Sequence, residues 1–331
     1  MTGRDRYIVV NRPAIVLGID TSCYTTSVAV VGEPGLLNDR RLLLEVPPGK
    51  RGLRQAEAVF QHVCNLPQLL SDVLPFKGIT AVAVSGTPRS LPDSYMPVFK
   101  AGEASARSLA LAWDVPCHVT SHQAGHIWAG LYGRDLHWEG DFWALHISGG
   151  TTELVSITLG QAAQDMAISL MGGSLDIHAG QLIDRIGVQM GLTFPAGPHL
   201  EKLAMEGRHQ GVSPVILPIS VRDLDLNLSG PEAAATRALE AGADPRAVAQ
   251  GVEECLAQSL AALIKNATAN RGGDRVLIVG GVAANKYIRN FLESSLSKYN
   301  ITVVFAPRTL SGDNAVGVAA YGLWKVGAYR S

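Results

Sequence analysis

The sequence predicts an α/β protein built as two related lobes around a cleft. Three observations carry this. A strand, polar turn, strand unit occurs twice, at AIVLGID–TSCYTT–SVAVV (14 to 31) and at FWALHIS–GGTT–ELVSITL (142 to 159), about 130 residues apart. Strands and helices alternate through the last third, which implies parallel strands with a binding site at their carboxyl ends. The 331 residues suffice for two domains at about 150 residues each.

Taken in order, residues 1–13 form an extension before the first strand. Residues 54 to 74 carry helical spacing, ITAVAVSG (79 to 86) reads as a strand and EASARSLALAW (103 to 113) as a helix. PCHVTS is a short strand that leads into HQAGH (122 to 126). We place the lobe boundary at 135, so that 14–135 and 136–331 are the two lobes. AGQLIDRIGVQMGL (179 to 192) is helical and ends in the turn around Phe194, Pro195 and Gly197. A helical insertion spans about 175–245, of which 200 to 244 is the least regular stretch. Residues 245 to 270 form a long amphipathic helix, and DRVLIVGGVAANKYIR and ITVVFAP with SGDNAVGVAAYGLW each read strand, turn, helix.

Composition limits the function. Hydrophobic residues make up 47% and charged residues 17%, with 35 glycines and 17 prolines, as in a well-buried enzyme rich in tight turns. A formal net charge of −1 and no lysine or arginine run exclude an autonomous nucleic-acid binder, so any RNA partner requires charge from another subunit. Cys23, Cys64, Cys117 and Cys255 form no CxxC pair, against a disulfide framework or zinc ribbon and in keeping with a reducing cytoplasm. The N-terminal residues lack an apolar signal core and no 18-residue apolar run occurs, so we expect a soluble cytoplasmic protein with no membrane segment.

The chemistry-bearing residues lie in the turns. The tips SCYTT and SGGTT offer backbone N–H groups and hydroxyls with little bulk, suited to a phosphate. Either tip alone equally fits an ordinary hairpin turn. Gly280 and Gly281 follow a buried strand and open a helix with Asn285 near its start, where a nucleotide can approach or strand and helix simply pack closely. His122 and His126, at i and i+4, project from one helical face and can share a divalent ion. HQAGH is not the metalloprotease HExxH: Gln123 replaces the general base, and Gly125 is expected to interrupt the helix. The pair alone also fits one buried and one surface histidine. Asp313 is the candidate third ligand, or a helix N-cap; Asp184 could meet a ribose hydroxyl or face water.

Together GIDTSCYTTSVAVV, HQAGHIWA, LHISGGTTELV, SLDIHAGQLIDRIG with FPAGP, GGVAANKYIR and GDNAVGVAAYG, in this order, resemble the TsaD family of tRNA threonylcarbamoyladenosine synthases, over about 14 to 328. The resemblance implies the two-lobed actin-like ATPase fold shared with sugar kinases and Hsp70, and a metal held by His122, His126 and Asp313, usually iron or zinc. It implies a nucleotide, ATP or threonylcarbamoyl-AMP, on His146, Ile147, Ser148, Gly149, Gly150, Asp184, Gly197, Gly281 and Asn285. It also implies transfer of threonylcarbamoyl to N6 of the adenosine after the anticodon of tRNA, with TsaB-like and TsaE-like helper proteins and dimerisation left open. Asp20 and Tyr24, on the first hairpin, are then the candidate catalytic residues.

The chain departs from the family's pattern in four places. Tyr24 stands where an acidic residue is usual, Thr151 for a histidine, Gln181 for a glutamate, and the loop 86–98 is longer than the usual GPG turn. Two alternatives follow: a paralogue that carbamoylates a small molecule, and a non-catalytic scaffold for a tRNA-modifying complex. A sugar kinase is disfavoured, as no aspartate is placed to deprotonate a sugar hydroxyl.

Overall fold

A computed structural model describes residues 13–22, 24–47, 52–73, 78–133, 140–160 and 166–328; Cys23 and the predicted extension up to residue 12 lie outside them. The first sheet has the order β3-β2-β1-β4-β5, from β1 (Ile15–Ser22), β2 (Thr25–Gly32), β3 (Gly35–Leu43), β4 (Ala81–Thr87) and β5 (Cys117–Ser121). The second runs β12-β11-β6-β7-β8-β10-β9, from β6 (Gly140–Ile147), β7 (Thr152–Leu159), β8 (Met166–Ser174), β9 (Val221–Arg222), β10 (Asp225–Leu226), β11 (Arg275–Val279) and β12 (Thr302–Phe305). The duplication is plain in the pairing. Each sheet has an antiparallel meander, β1-β2-β3 or β6-β7-β8, with two parallel strands added beside its first member, β4 and β5 or β11 and β12.

Both faces of β1 and β2 are buried, which is why they read as unbroken apolar runs rather than alternating ones. Leu17, Ile19, Val28 and Val30 pack against α1 (Gln55–Val73) and α2 (Phe99–Trp113). Val16, Ala29 and Val31 face α9 (Val316–Lys325). The second sheet uses Leu145, Ile147 and Leu154 to cover α4 (Ala179–Gln189) and α7 (Pro245–Arg271). Its opposite face, with Ala144, Val155, Leu277 and Val279, meets Ile127, Trp128 and Leu131 of α3 (His122–Leu131) and Ala320 of α9. The helices α3 and α9 therefore form a shared layer between the two sheets, and every residue of α3 from Gln123 to Leu131 is buried.

The boundary placed at 135 falls between the two sheets, and α9, beyond it, packs on the first sheet as well as on the second. One expectation is corrected by this layer: Gly125 does not interrupt the helix. Instead α3 runs through it, and a Cβ there would stand 3.0 Å from Val318 Cγ2. Across the crossing, a Cβ on Gly317 would land on the Gly125 carbonyl oxygen and lie 2.6 Å from the Ala129 amide nitrogen. Two glycines let the helix backbones touch.

The stretch 200 to 244 is also more regular than expected, holding α5 (Gly197–His209) and α6 (Ser229–Glu240). These helices bury mostly small or isolated residues, Leu200, Ala204 and Gly207 in one and Pro231 and Ala235 in the other, so their periodic signal is weak. Asp176 starts α6: its carboxylate accepts from the amides of Ile177 (2.6 Å), Leu228 (2.8 Å) and Ser229 (3.1 Å) and from the Ser229 hydroxyl (2.5 Å). Burial pushes its pKa up, but these bonds outweigh that and hold it down to about 2. A depressed carboxylate pKa stabilises the fold above the unfolded value near 3.8 and loses that contribution as pH falls towards 2. We expect Asp176→Ala to destabilise by about 1 kcal/mol at neutral pH, as loss of a helix cap does. The gap from wild type should shrink in thermal melts between pH 4 and pH 2; a gap that widens on acidification counts against this account.

Candidate metal centre and nucleotide cleft

β5 delivers the chain to α3 through Ser121, whose hydroxyl caps the helix by accepting from the Ala124 amide at 3.1 Å. His122 and His126 then follow on successive turns, and their Nε2 atoms face each other at 3.0 Å. Asp313 sits three residues before α9, and its Oδ1 lies 3.4 Å from both Nε2 atoms. The proposed N-cap role for Asp313 does not hold, because the neighbouring Asn314 takes the capping bond, accepting from Gly317 N at 3.1 Å. Asp313 is thereby freed for the histidines, and the Gly125–Gly317 crossing brings it to them.

The triangle of donor atoms suits one ion. Three N or O ligands at about 2.0–2.1 Å in tetrahedral geometry stand roughly 3.3–3.4 Å apart; the edges of this one are 3.0, 3.4 and 3.4 Å. Among the described residues, these three form a group of histidine, cysteine and carboxylate donors with ligand atoms mutually within 4.8 Å. Three protein ligands leave a fourth position for an exogenous group, the pattern of a catalytic rather than a structural site. Without an ion the cluster is electrostatically tense. Burial opposes charge on His122, yet Asp20 and Asp313 prevail and raise its pKa to about 10. Burial and the neighbouring His122 lower that of His126, and the two imidazoles hold Asp313 far below the usual carboxylate range against its burial.

Asp20, a candidate catalytic residue, lies behind this triangle rather than in it. It is fully buried, accepts from the hydroxyls of Ser22 and Ser85, and faces His122 Nδ1 at 3.3 Å. With Nδ1–H directed at Asp20, the His122 Nε2 lone pair points to the metal position, the carboxylate–histidine arrangement that orients metal ligands. Ser85, two residues before the end of β4, is a contributor that the sequence reading missed; a hydroxyl following an apolar run was its only signal.

Tyr24 reaches across the cleft and meets Phe194 edge-on, with ring centroids 5.6 Å apart. The longer loop 86–98 also bridges the lobes: Arg89 pairs with Glu153 of β7 at 2.6 Å, and Gln123 of α3 donates to the same carboxylate at 2.8 Å. Gln181 takes over a structural bond, accepting from the His178 amide at 3.0 Å at the start of α4.

Several of the candidate glycines have free space beside them. Ser148 N donates to Thr151 O at 2.7 Å to close the β6–β7 tip, and Cβ atoms on Gly149, Gly150, Gly197 or Gly281 would meet nothing within 4 Å. The side chain of Asp184 does not face water alone: it accepts from Ala196 N at 2.7 Å, which ties α4 to the turn before α5. Asn285 caps α8 (Lys286–Ser297), accepting from Ile288 N at 2.9 Å, and donates to the buried Glu253 at 2.6 Å. Two of its four hydrogen-bonding positions are so used. Arg208 completes this corner, 2.5 Å from Glu253 and 3.9 Å over the Tyr287 ring.

Residues 59–320 match the family described as TsaD, tRNA N6-adenosine threonylcarbamoyltransferase. The chain belongs to the TsaD family. It is 30% identical over 311 residues to a tRNA N6-adenosine threonylcarbamoyltransferase of Methanopyrus kandleri, covering 93% of this chain and 87% of that protein. Two solved structures share the fold. Full-length HypF in its phosphate- and nucleotide-bound form matches with a TM-score of 0.59 at 12% identity, over 95% of this chain and 46% of that one. A ROK family glucokinase from Streptomyces griseus matches with a TM-score of 0.51 at 13% identity, over 93% and 98%. The actin-like, sugar-kinase architecture expected of a TsaD member is thus present. Among the described residues, no helix is long and apolar enough to cross a membrane.

Proposed function

We propose that this TsaD-family chain is a metal-dependent threonylcarbamoyl transferase acting in the cytoplasm on N6 of the adenosine that follows the anticodon in tRNA. The observation that carries this reading is the convergence of His122, His126 and Asp313 into a ligand-sized triangle. A scaffold has no use for a largely buried His–His–Asp cluster, whose polar groups cost free energy to desolvate.

In this reading His122, His126 and Asp313 hold one divalent ion, iron or zinc, which would supply Lewis-acid polarisation of the carbamoyl oxygen. Gly149, Gly150, Gly197 and Gly281 make room for the adenylate, threonylcarbamoyl-AMP. The tip amides suit its phosphate, and Asp184 and Asn285 stand at its nucleoside end. The bond from the carbamoyl carbon to the adenylate phosphate oxygen breaks, a bond from that carbon to N6 forms, N6 loses one proton, and AMP leaves. Asp20 fixes His122 rather than touching substrate. With a net charge of −1, the chain needs helper subunits to hold tRNA, for which TsaB-like and TsaE-like proteins are the family's candidates. A dimer is a further candidate assembly.

The test is reconstitution with threonine, bicarbonate, ATP, the adenylate-forming enzyme, helper proteins and tRNA. We expect threonylcarbamoyladenosine in digested tRNA. Consumption of adenylate without tRNA modification would instead favour the small-molecule paralogue, for which the presence of Tyr24 at the cleft speaks. In that event Tyr24→Asp should restore modification, and failure to do so would place the divergence elsewhere, with the loop 86–98 next in line.

A further inference from the structure

A cavity of about 300 Å³ lies between the two sheets, and neither the metal triangle nor any glycine turn lines it. Two open strand edges border it. β5 ends the first sheet, and β10 pairs with β8 only at Gly173 and Ser174, which leaves the first half of β8 without a neighbour on that side. Val119 of β5 and Met166 and Ile168 of β8 wall the cavity, and Tyr321 and Trp324 of α9 reach it from the layer between the sheets. Its volume is at the small end of natural ligand sites.

The polar chemistry of these walls is one-sided. Lys325, at the last turn of α9, lines the cavity half-buried, and among the described residues no carboxylate pairs with it. Its ammonium lies 5.4 Å from the centroid of the Trp324 ring. No aspartate or glutamate is among the lining residues. A cation drawn partly out of water with no counter-charge favours an anionic partner. Ser90, from the loop 86–98, and Ser121 supply a further donor. Their hydroxyl oxygens are 2.8 Å apart, and Ser121 also accepts from the Ala124 amide, so whichever hydroxyl donates within the pair, one O–H is left for an occupant. An ammonium and a hydroxyl donor set among apolar and aromatic walls describe a small anion with an apolar body.

We propose that this cavity binds a small amphipathic carboxylate, its charge met by Lys325 and its aromatic or branched aliphatic part by Trp324, Tyr321 and Ile168. The site is separate from the metal centre, yet adjacent to it in the chain: Ser121 caps the helix that carries His122 and His126, and Ser90 follows the Arg89 that pairs with Glu153 across the lobes. The proposal stands independently of the metal reading.

The probe is 4-fluorophenylacetate, added to the full chain and followed by its fluorine NMR linewidth. Wild-type protein should bind it saturably with a Kd of about 3 mM or tighter, the range of a fragment this small. Lys325→Gln should weaken binding about tenfold, the loss of one charge-assisted contact, and the neutral 4-fluorophenylacetamide should bind wild type more weakly by a similar factor. Lys325→Arg, which keeps the charge, should stay within about threefold of wild type and guards against a packing defect of the glutamine variant. Ile168→Trp, at a half-buried position on the open edge of β8, should fill the cavity and abolish binding. Asp313→Asn should leave the probe's affinity unchanged. Equal affinity for acid and amide overturns the proposal, as does undiminished binding to Ile168→Trp or no binding by wild type. Binding lost in Asp313→Asn and kept in Lys325→Gln also overturns it, because the carboxylate then sits on the metal.

Discussion

Without the His126 imidazole the protein should retain almost no divalent metal after dialysis, its affinity expected to fall about a hundredfold or more, since even changes behind the ligands cost 10–100-fold. Transfer of threonylcarbamoyl to tRNA should fall about a thousandfold, equivalent to about 4 kcal/mol of lost transition-state stabilisation, the scale of Lewis-acid assistance. His126 is buried beside His122 and His146, so its loss also opens a cavity. Asp313→Asn provides the cleaner case: the side chain is one-fifth exposed and carries no cap, so the fold should persist while metal and activity disappear together. Asp20→Asn should be milder, with metal affinity down about 10–100-fold, because it alters only the orientation of His122. Elemental analysis after exhaustive dialysis decides the matter. Retention of one equivalent by the His126→Ala and Asp313→Asn proteins would disprove the triangle as the metal site.

The second large effect lies in the fold that makes the triangle. Gly317→Ala should destabilise the protein by about 3 kcal/mol, the upper end of overpacking penalties, because the added carbon meets the backbone of α3 rather than a movable side chain. That corresponds to a fall of roughly 6–12 °C in melting temperature for a lobe of this size. The same substitution should weaken metal binding, since any displacement of α9 carries Asp313 away from the histidines. Gly230→Ala is the control. It lies in α6 with nothing within 4 Å of its would-be Cβ, and should be neutral or stabilising by up to about 1 kcal/mol. A Gly317→Ala protein that melts with wild type would show that the helices can separate without loss, and close backbone approach would then no longer account for Gly125 and Gly317.

The duplicated hairpin was readable because both copies lie between helix layers and so carry unbroken apolar runs with small polar tips, a pattern set by burial on two faces. The His122–His126 pair was readable as two donors on one helix face, Asp313 and the glycine turns were each visible as residues able to serve a metal or a nucleotide, and Asp20 was visible as a candidate catalytic residue. Local sequence could not choose between roles. HQAGH admitted a metal, a buried histidine or a surface one; Asp313 admitted a cap; Gly125 looked like a helix breaker; and α5 and α6 passed for irregular chain because alanine, glycine and proline give little periodic signal.

Tertiary structure bears on these points through distances between segments far apart in the chain. Asn314 takes the cap and so leaves Asp313 free, while the glycine crossing of α3 and α9 brings it to 3.4 Å from both imidazoles. Burial of Asp20 with Ser22 and Ser85 sets it against His122 Nδ1, the contact on which its proposed orienting role rests. What the sequence alone determined is the repeated sheet plan and the identity of the donors, because periodicity and side-chain chemistry are local properties. Which donors come within reach of one another depends on how closely two helices between two sheets can approach, and only the packed structure decides that.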